Sequence, residues 1–516
     1  MTLSRRGFLQ ASAGAALARW SRAALGPDST DVSLCHKLAS DPLRPQYHLL
    51  PSHNWMNDPN GPIYFRGRYH MFHQYNPRGA TWGNMHWAHA TSLDMIHWQH
   101  EGIALCPTPN GPDSDGVFSG SGVIDKEKVV VIYTGVAPPS SAREATLRDG
   151  VHTWRETQCL VEAEDADLRT WKKLPQPVIT TPPAGLDVTG FRDPALWREG
   201  NNWMLILGSG VRGKGGMILL YTSTDLRHWT YLHPLIEGPP AQSTSVNPVD
   251  TGEMWECPDF FPLGDKYVLL ISMMGKVRWM VGRYANQRFT PENEGVVDWG
   301  SYYAAKTMVD ANGRRILWGW IPESRSDAEL ISAGWAGAMS LPRVLSLDSQ
   351  KQLESEIATD VRQLRTNRVG MINEDEPCGN CQHALDAVRI KNFAAEIEMD
   401  VQPKADDFTL RLYSDSGDLA SLSWLNQAGK CELRVNKVRA PLPSSAGSTL
   451  QLHIFLDGSV LEIFANGTAL TARIYQIPSG PIRLGLEGNA KLVSLNAWEM
   501  QPISKDRLAG DCTNES

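Results

Sequence analysis

The sequence predicts an all-β protein, a five-bladed β-propeller followed by a C-terminal β-sandwich. Three observations carry that prediction. Across residues 45–348, short β-type runs alternate with Gly, Pro, Asn and Asp, and sustained helical periodicity is missing. A turn motif of the form Asp-apolar-x-x-Trp recurs at Asp94 to Trp98, Asp167 to Trp171 and Asp225 to Trp229, each copy lying between two β-runs. Beyond about Gly370 the pattern changes to plain strand alternation. A repeat whose unit is four strands, spread over roughly 300 residues, implies about five blades.

Taken in order, residues 1–27 read as an export segment. Ser4-Arg5-Arg6-Gly7-Phe8-Leu9 is a twin-arginine pattern followed by the small apolar run Ala11 to Ala18, which predicts a periplasmic or extracellular protein. No later segment approaches the ~18 apolar residues of a membrane helix. In the propeller region the clearest strands are Tyr69 to Tyr75, Val129 to Tyr133, Trp203 to Leu207, Tyr267 to Ser272 and Arg315 to Ile321. Residues 349–369 are polar and helix-compatible, and read as a connector. The sandwich, residues 370–502, shows strands at Ala394 to Met399, Thr409 to Tyr413, Thr449 to Phe455, Ser459 to Phe464 and Thr471 to Tyr475.

Composition narrows the partners. The 516 residues exceed what one core usually serves, in keeping with two domains. A net charge of -8 offers no field for nucleic acid or anionic membrane, so a small or neutral partner is expected. Eighteen Trp against 12 Phe suits a protein that stacks sugar rings on flat apolar faces, although Trp also fills β-rich cores. The eight cysteines are scattered, and no pairing is assigned. Cys378-Gly-Asn-Cys381 is a lone CxxC without a second pair at zinc spacing, so no metal is expected. His86, His89 and His97 read as structural rather than ligating, and Lys126-Glu127-Lys128 as a solvated turn. No motif suggests a cofactor.

Three acidic motifs stand out: Trp55-Met56-Asn57-Asp58-Pro59-Asn60-Gly61, Phe191-Arg192-Asp193-Pro194 and Trp255-Glu256-Cys257-Pro258-Asp259. Cleaving a glycosidic bond needs one carboxylate at the anomeric carbon and one carboxylic acid to protonate the leaving oxygen. A propeller points its innermost strands at one axis, so acids far apart in the chain converge if each sits on its own blade. Singly, an Asp-Pro is more often a turn cap.

Together the motifs make the sequence similar to glycoside hydrolase family 32, the β-fructofuranosidases, from about Tyr47 to Trp498. Further matching segments are Tyr69 to Pro77, Trp82-Gly83-Asn84, Phe118 to Ser121, Gly334 to Gly337, Leu341-Pro342-Arg343 and Ile454 to Gly458. The resemblance implies a retaining hydrolase that releases terminal fructose from sucrose or fructans. It assigns Asp58 as nucleophile, Glu256 as acid/base and Asp193 as transition-state stabiliser, with Arg192 holding the charge of Asp193. It places Asn57, Gln74, Trp82, Phe118 and Ser119 around the fructose, and Trp318 and Trp335 in segments that match contacts. Asp58 should then be kept ionised by amide and N–H donors, and Glu256 protonated by apolar neighbours and nearby carboxylates. A fructosyltransferase using the same residues and a non-catalytic carbohydrate-binding relative are the alternative readings.

Overall fold

The structure, a computed structural model, describes residues 29–241, 245–372, 385 and 387–504. The twin-arginine segment, Cys378, Cys381 and Cys512 lie outside that range. No helix among the described residues is long and apolar enough to cross a membrane.

Five antiparallel four-stranded blades form the first domain. Their innermost strands are Asn54–Phe65, Gly116–Asp125, Val188–Glu199, Glu256–Leu263 and Tyr303–Val309. Each of the five strands read most clearly from the sequence proves to be the second strand of its blade, paired along one edge with the innermost strand. These second strands are buried on both faces between neighbouring blades, so Val, Ile and Leu runs mark them. The ring closes where Trp335 and Ala336 pair in parallel with Asn54 and Trp55, joining the fifth blade to the first.

The recurrent turn joins the third and fourth strands of blades one to three. Asp94 and Asp225 each accept two backbone N–H groups, from Ile96 and His97 and from Arg227 and His228. In the middle copy the acid at that task is Asp165, two residues before the Asp of the motif. All three copies hold the apolar residue in the left-handed region, Met95 at φ 66°, Leu168 at 56° and Leu226 at 64°. Buried side chains compensate that strain.

Two boundaries differ from the sequence reading. Leu353–Ile357, inside the expected connector 349–369, is the outermost strand of blade five, paired with Arg343–Leu347. An outermost strand meets water and is polar, so it resembles a solvated helix in composition. The true link is the 3-10 turn Thr359–Leu364. At the other end a helix, Ser29–Ser40, precedes the propeller, and its Cys35 is disulfide-bonded where no pairing was assigned.

In the second domain the strands Ala394–Ser414 and Arg483–Met500 are long enough to run through both layers. Ala394–Ser414 pairs with Leu450–Asp457 along its first half and with Gly417–Gln427 along its second. The two layers of the sandwich are therefore one continuous nine-stranded sheet folded around a single core that includes Ile397, Leu410, Leu422, Ile454 and Leu495.

A buried ionic network locks this domain to the propeller. Arg343 of blade five donates to Asp298, Glu462 and Thr471 and lies over the rings of Tyr302 and Phe464. His48 bridges Asp457 at 2.8 Å and Glu462 at 3.0 Å. All of these charged side chains are fully buried. Burial alone would depress the His48 imidazole, but its hydrogen bonds to Asp457 and Glu462 and their charge raise its pKa to about 9. Burial alone would raise Glu462, but Arg343 and His48 bring it down to about 2. Main-chain bonds from Trp299 to Ala469 and from Ser301 to Thr471 cover the edge of strand Thr468–Arg473.

Candidate active site

All five innermost strands carry a β-bulge facing the axis. Pairing with the second strand is interrupted between Met56 and Pro59, Val117 and Gly120, Arg192 and Ala195, Glu256 and Asp259, and Tyr303 and Lys306. In a regular strand only alternate residues would face the channel. A bulge sets two residues against one, so neighbours such as Asn57 and Asp58, or Arg192 and Asp193, can both turn inward. Asp193 at φ 63°, Cys257 at 47° and Ala304 at 53° hold left-handed conformations there, strain of a kind concentrated at functional sites. The result is a funnel of about 210 Å3 lined by all three sequence-predicted acids.

Asp58 ends a hydrogen-bond chain whose direction is set by one group. The Trp55 indole can only donate, and gives its N–H to Asn57 Oδ1 at 2.8 Å. That turns the Asn57 amide so that its Nδ2 donates to Asp58 Oδ1 at 3.1 Å and to Gln74 Oε1 at 2.7 Å. Gln74 Nε2 then donates to Ser119 Oγ at 2.7 Å, leaving the Ser119 hydroxyl to donate to Asp58 Oδ2 at 2.6 Å. Three residues expected around fructose therefore also orient the nucleophile candidate. Burial nevertheless dominates and raises the Asp58 pKa; the Ser119 and Asn57 donors oppose it, and the charge of Glu256 adds to it.

Asp193 accepts the Cys257 backbone N–H at 2.9 Å. Burial raises its pKa to about 7 against the opposing charge of Arg192, with Glu256 and Asp58 pushing the same way as burial. The Cys257 thiol lies 3.5 Å from both Asp58 Oδ2 and Asp193 Oδ2, linking the two carboxylates. Trp255, on the other side of Glu256, turns away into the core between blades three and four. Gly216 and Gly238 make room for its ring, since a Cβ at either would lie 2.2 Å or 2.3 Å from the indole.

Glu256 does not have the apolar surroundings expected of it. Arg192 donates to its Oε1 from Nε at 3.1 Å and Nη2 at 2.8 Å, and the Tyr303 hydroxyl donates to Oε2 at 2.7 Å. Arg192 is held in turn by Glu156 at 2.8 Å, whose second oxygen accepts the Phe191 N–H. Arg192 thus contacts the acid/base candidate more closely than Asp193, which lies 4.0 Å away. Tyr303 and Glu156 escape the sequence reading. Tyr303 lies at the bulge of the fifth innermost strand, a position equivalent to the acids, while Glu156 sits in an ordinary-looking strand.

Phe118 and Trp82 meet edge to face at 6.0 Å on the funnel wall. Trp318 and Trp335 do not reach it. Trp318 is buried between blades one and five against Trp98. Trp335 donates its N–H to Asp41 and lies among the guanidinium groups of Arg44, Arg325 and Arg473. Trp320 takes the wall position instead. It shares a strand face with Trp318 and stands two residues nearer the mouth, roughly 7 Å along the strand.

His89 stacks on His70 and Phe72 inside blade one, and His97 pairs with Asp94 in its turn, as structural histidines do. Among the described residues one trio could in principle hold a metal, Glu396, Glu398 and His453 in the sandwich, and Arg365 already neutralises both carboxylates.

A bladed funnel that gathers an oriented aspartate, a second aspartate and an arginine-held glutamate beneath an aromatic wall defines a glycoside hydrolase. Comparison with known proteins places it further. Residues 48–356 match the glycosyl hydrolases family 32 N-terminal domain, and residues 359–499 the family 32 C-terminal domain. A sucrose-6-phosphate hydrolase of Escherichia coli is 36% identical over 476 residues, spanning 86% of this chain and 91% of that one. A raffinose invertase of Escherichia coli is 33% identical over 489 residues, spanning 88% and 94%. Among solved structures, fructan 1-exohydrolase IIa of Cichorium intybus superposes with a TM-score of 0.73 at 27% identity, over 89% of this chain and 98% of that one. The chain belongs to glycoside hydrolase family 32.

Proposed function

We propose that the protein releases terminal fructose from sucrose or fructans with retention of configuration, through a covalent fructosyl-enzyme. The observation that carries this reading is the one-way hydrogen-bond chain from Trp55, which leaves Asp58 as pure acceptor with its carboxylate fixed in the funnel. A fixed, ionised carboxylate is what attack on an anomeric carbon requires. Asp58 attacks C2 of the fructosyl unit as the C2–O bond to the leaving sugar breaks, and Glu256 gives its proton to the departing oxygen. Glu256, now a carboxylate, takes a proton from water as that water attacks C2 and releases Asp58. Arg192 and Tyr303 keep the Glu256 carboxyl in place through both steps. Asp193 holds the sugar as positive charge develops on the ring. The relatives compared above bear the names of hydrolases, which favours water over a sugar as acceptor.

Proton NMR of the first minutes of sucrose hydrolysis tests retention. β-Fructofuranose is expected as the first-formed product, and α-fructose appearing first would overturn the double-displacement path. The Arg5-Arg6 pattern supports export of the folded chain. Replacing both arginines by lysine should trap activity inside the producing cell, and unchanged export would remove that assignment.

A further inference from the structure

The funnel has a wall that the catalytic steps above do not use. Leu147–Arg148 pairs with Thr153 and Trp154 in a small hairpin that projects from blade two beside the acids. Its tip is tied by Asp149, which accepts the N–H groups of Val151 at 2.8 Å and His152 at 2.6 Å and bonds the His152 ring at 3.0 Å. The His152 ring stacks on Trp154 with centroids 4.2 Å apart and planes 21° apart. Trp154 in turn packs edge-on against Phe118 and lies 6.2 Å from Trp82, which is 40% exposed. Gly150 abuts Val246, joining the hairpin to the segment whose Asn247 and Val249 also line the funnel.

Charge at this wall has one sign to spare. The ionisable groups lining the funnel are Asp58, Asp149, Asp193 and Glu256 against Arg148 and Arg192. Arg192 is ion-paired with Glu156 and Glu256, whereas Arg148 donates to the neutral Ala142 carbonyl and keeps its charge, so the lining still sets four carboxyl groups against two cations. Burial alone would raise Asp149, but the His152 backbone and ring bonds outweigh it and hold the carboxylate below its ordinary pKa.

Building on the fructosidase reading, we propose that the hairpin 147–154 is the subsite for the leaving sugar. Trp154 and Trp82 offer apolar faces to an uncharged hexose ring, and Asp149 accepts a hydroxyl hydrogen from it and repels a phosphorylated one. Aromatic faces bind the C–H patches of a sugar without regard to charge, so discrimination falls to the carboxylate. The chain would then prefer sucrose to sucrose 6-phosphate, although a relative at 36% identity is named for the phosphate ester.

The test compares kcat/KM for sucrose, sucrose 6-phosphate and methyl β-D-fructofuranoside, whose leaving group has no ring, in the wild-type chain, Trp154→Ala and Asp149→Asn. The wild type should favour sucrose over its 6-phosphate by at least about 10-fold, a step equal to one modest charge contact, and Asp149→Asn should narrow that ratio. Trp154→Ala should lower the ratio of sucrose to methyl fructoside by about 10-fold, as loss of a stacked aromatic does. Equal losses on sucrose and methyl fructoside, or a wild-type preference for sucrose 6-phosphate, would overturn the proposal. A wild type inactive on all three substrates would overturn the fructosidase reading itself.

Discussion

Asp58→Asn and Glu256→Gln should each cut sucrose turnover by about 10,000-fold or more, the scale on which single reacting groups contribute. Both replacements keep shape, so the melting temperature should hold. For Asp58→Asn it should hold or rise, because a desolvated carboxylate with a raised pKa opposes folding when ionised. The two losses should differ in kind. Without Asp58 no fructosyl-enzyme can form on any substrate. Without the Glu256 proton, a leaving group that departs readily as an anion needs no acid, so p-nitrophenyl β-fructofuranoside should still give a burst of nitrophenol in Glu256→Gln and none in Asp58→Asn. Near wild-type turnover of sucrose by either variant would move its assigned role to another residue.

The largest effect on stability should come from Arg343. It is fully buried at the junction of the domains and bonds Asp298, Glu462 and Thr471. Arg343→Ala leaves two buried carboxylates short of their cation, a loss of about 3–5 kcal/mol for a broken buried pair. Urea unfolding followed by tryptophan fluorescence should show the transition midpoint falling sharply. A change under about 1 kcal/mol would mean that the interface rests on packing alone. The same network gives a pH signature through His48. Its folded pKa, about 9, lies above the ordinary imidazole value, so its contribution is complete below about 6.5 and is lost as pH rises to about 9. Glu462 acts oppositely, contributing above its ordinary range and failing as pH falls toward about 2. His48→Asn should therefore flatten the alkaline limb of stability against pH and leave the acid limb in place.

Some of the site was legible before any coordinates. Asp58, Asp193 and Glu256 each stand in a short motif with Pro one or two residues after the acid. Asn57, Gln74, Trp82, Phe118 and Ser119 came with the family resemblance, and the structure sets them in or against the funnel. Trp318 and Trp335 did not follow, because a tryptophan that packs blades and one that faces sugar look alike in one dimension. Tyr303, Glu156 and Trp154 carry no local mark at all. Their roles depend on which blade stands next to which.

Local pattern determined the all-β class, the blade repeat and the three acids, because strand alternation and turn chemistry act between residues close in the chain. The depth of each side chain along the funnel, the polarity of the chain ending at Asp58 and the burial of Arg343 between domains were decided only by tertiary structure. Those properties arise from contacts between segments hundreds of residues apart, and burial, which sets both the electrostatics and the strength of each hydrogen bond, belongs to the packed whole.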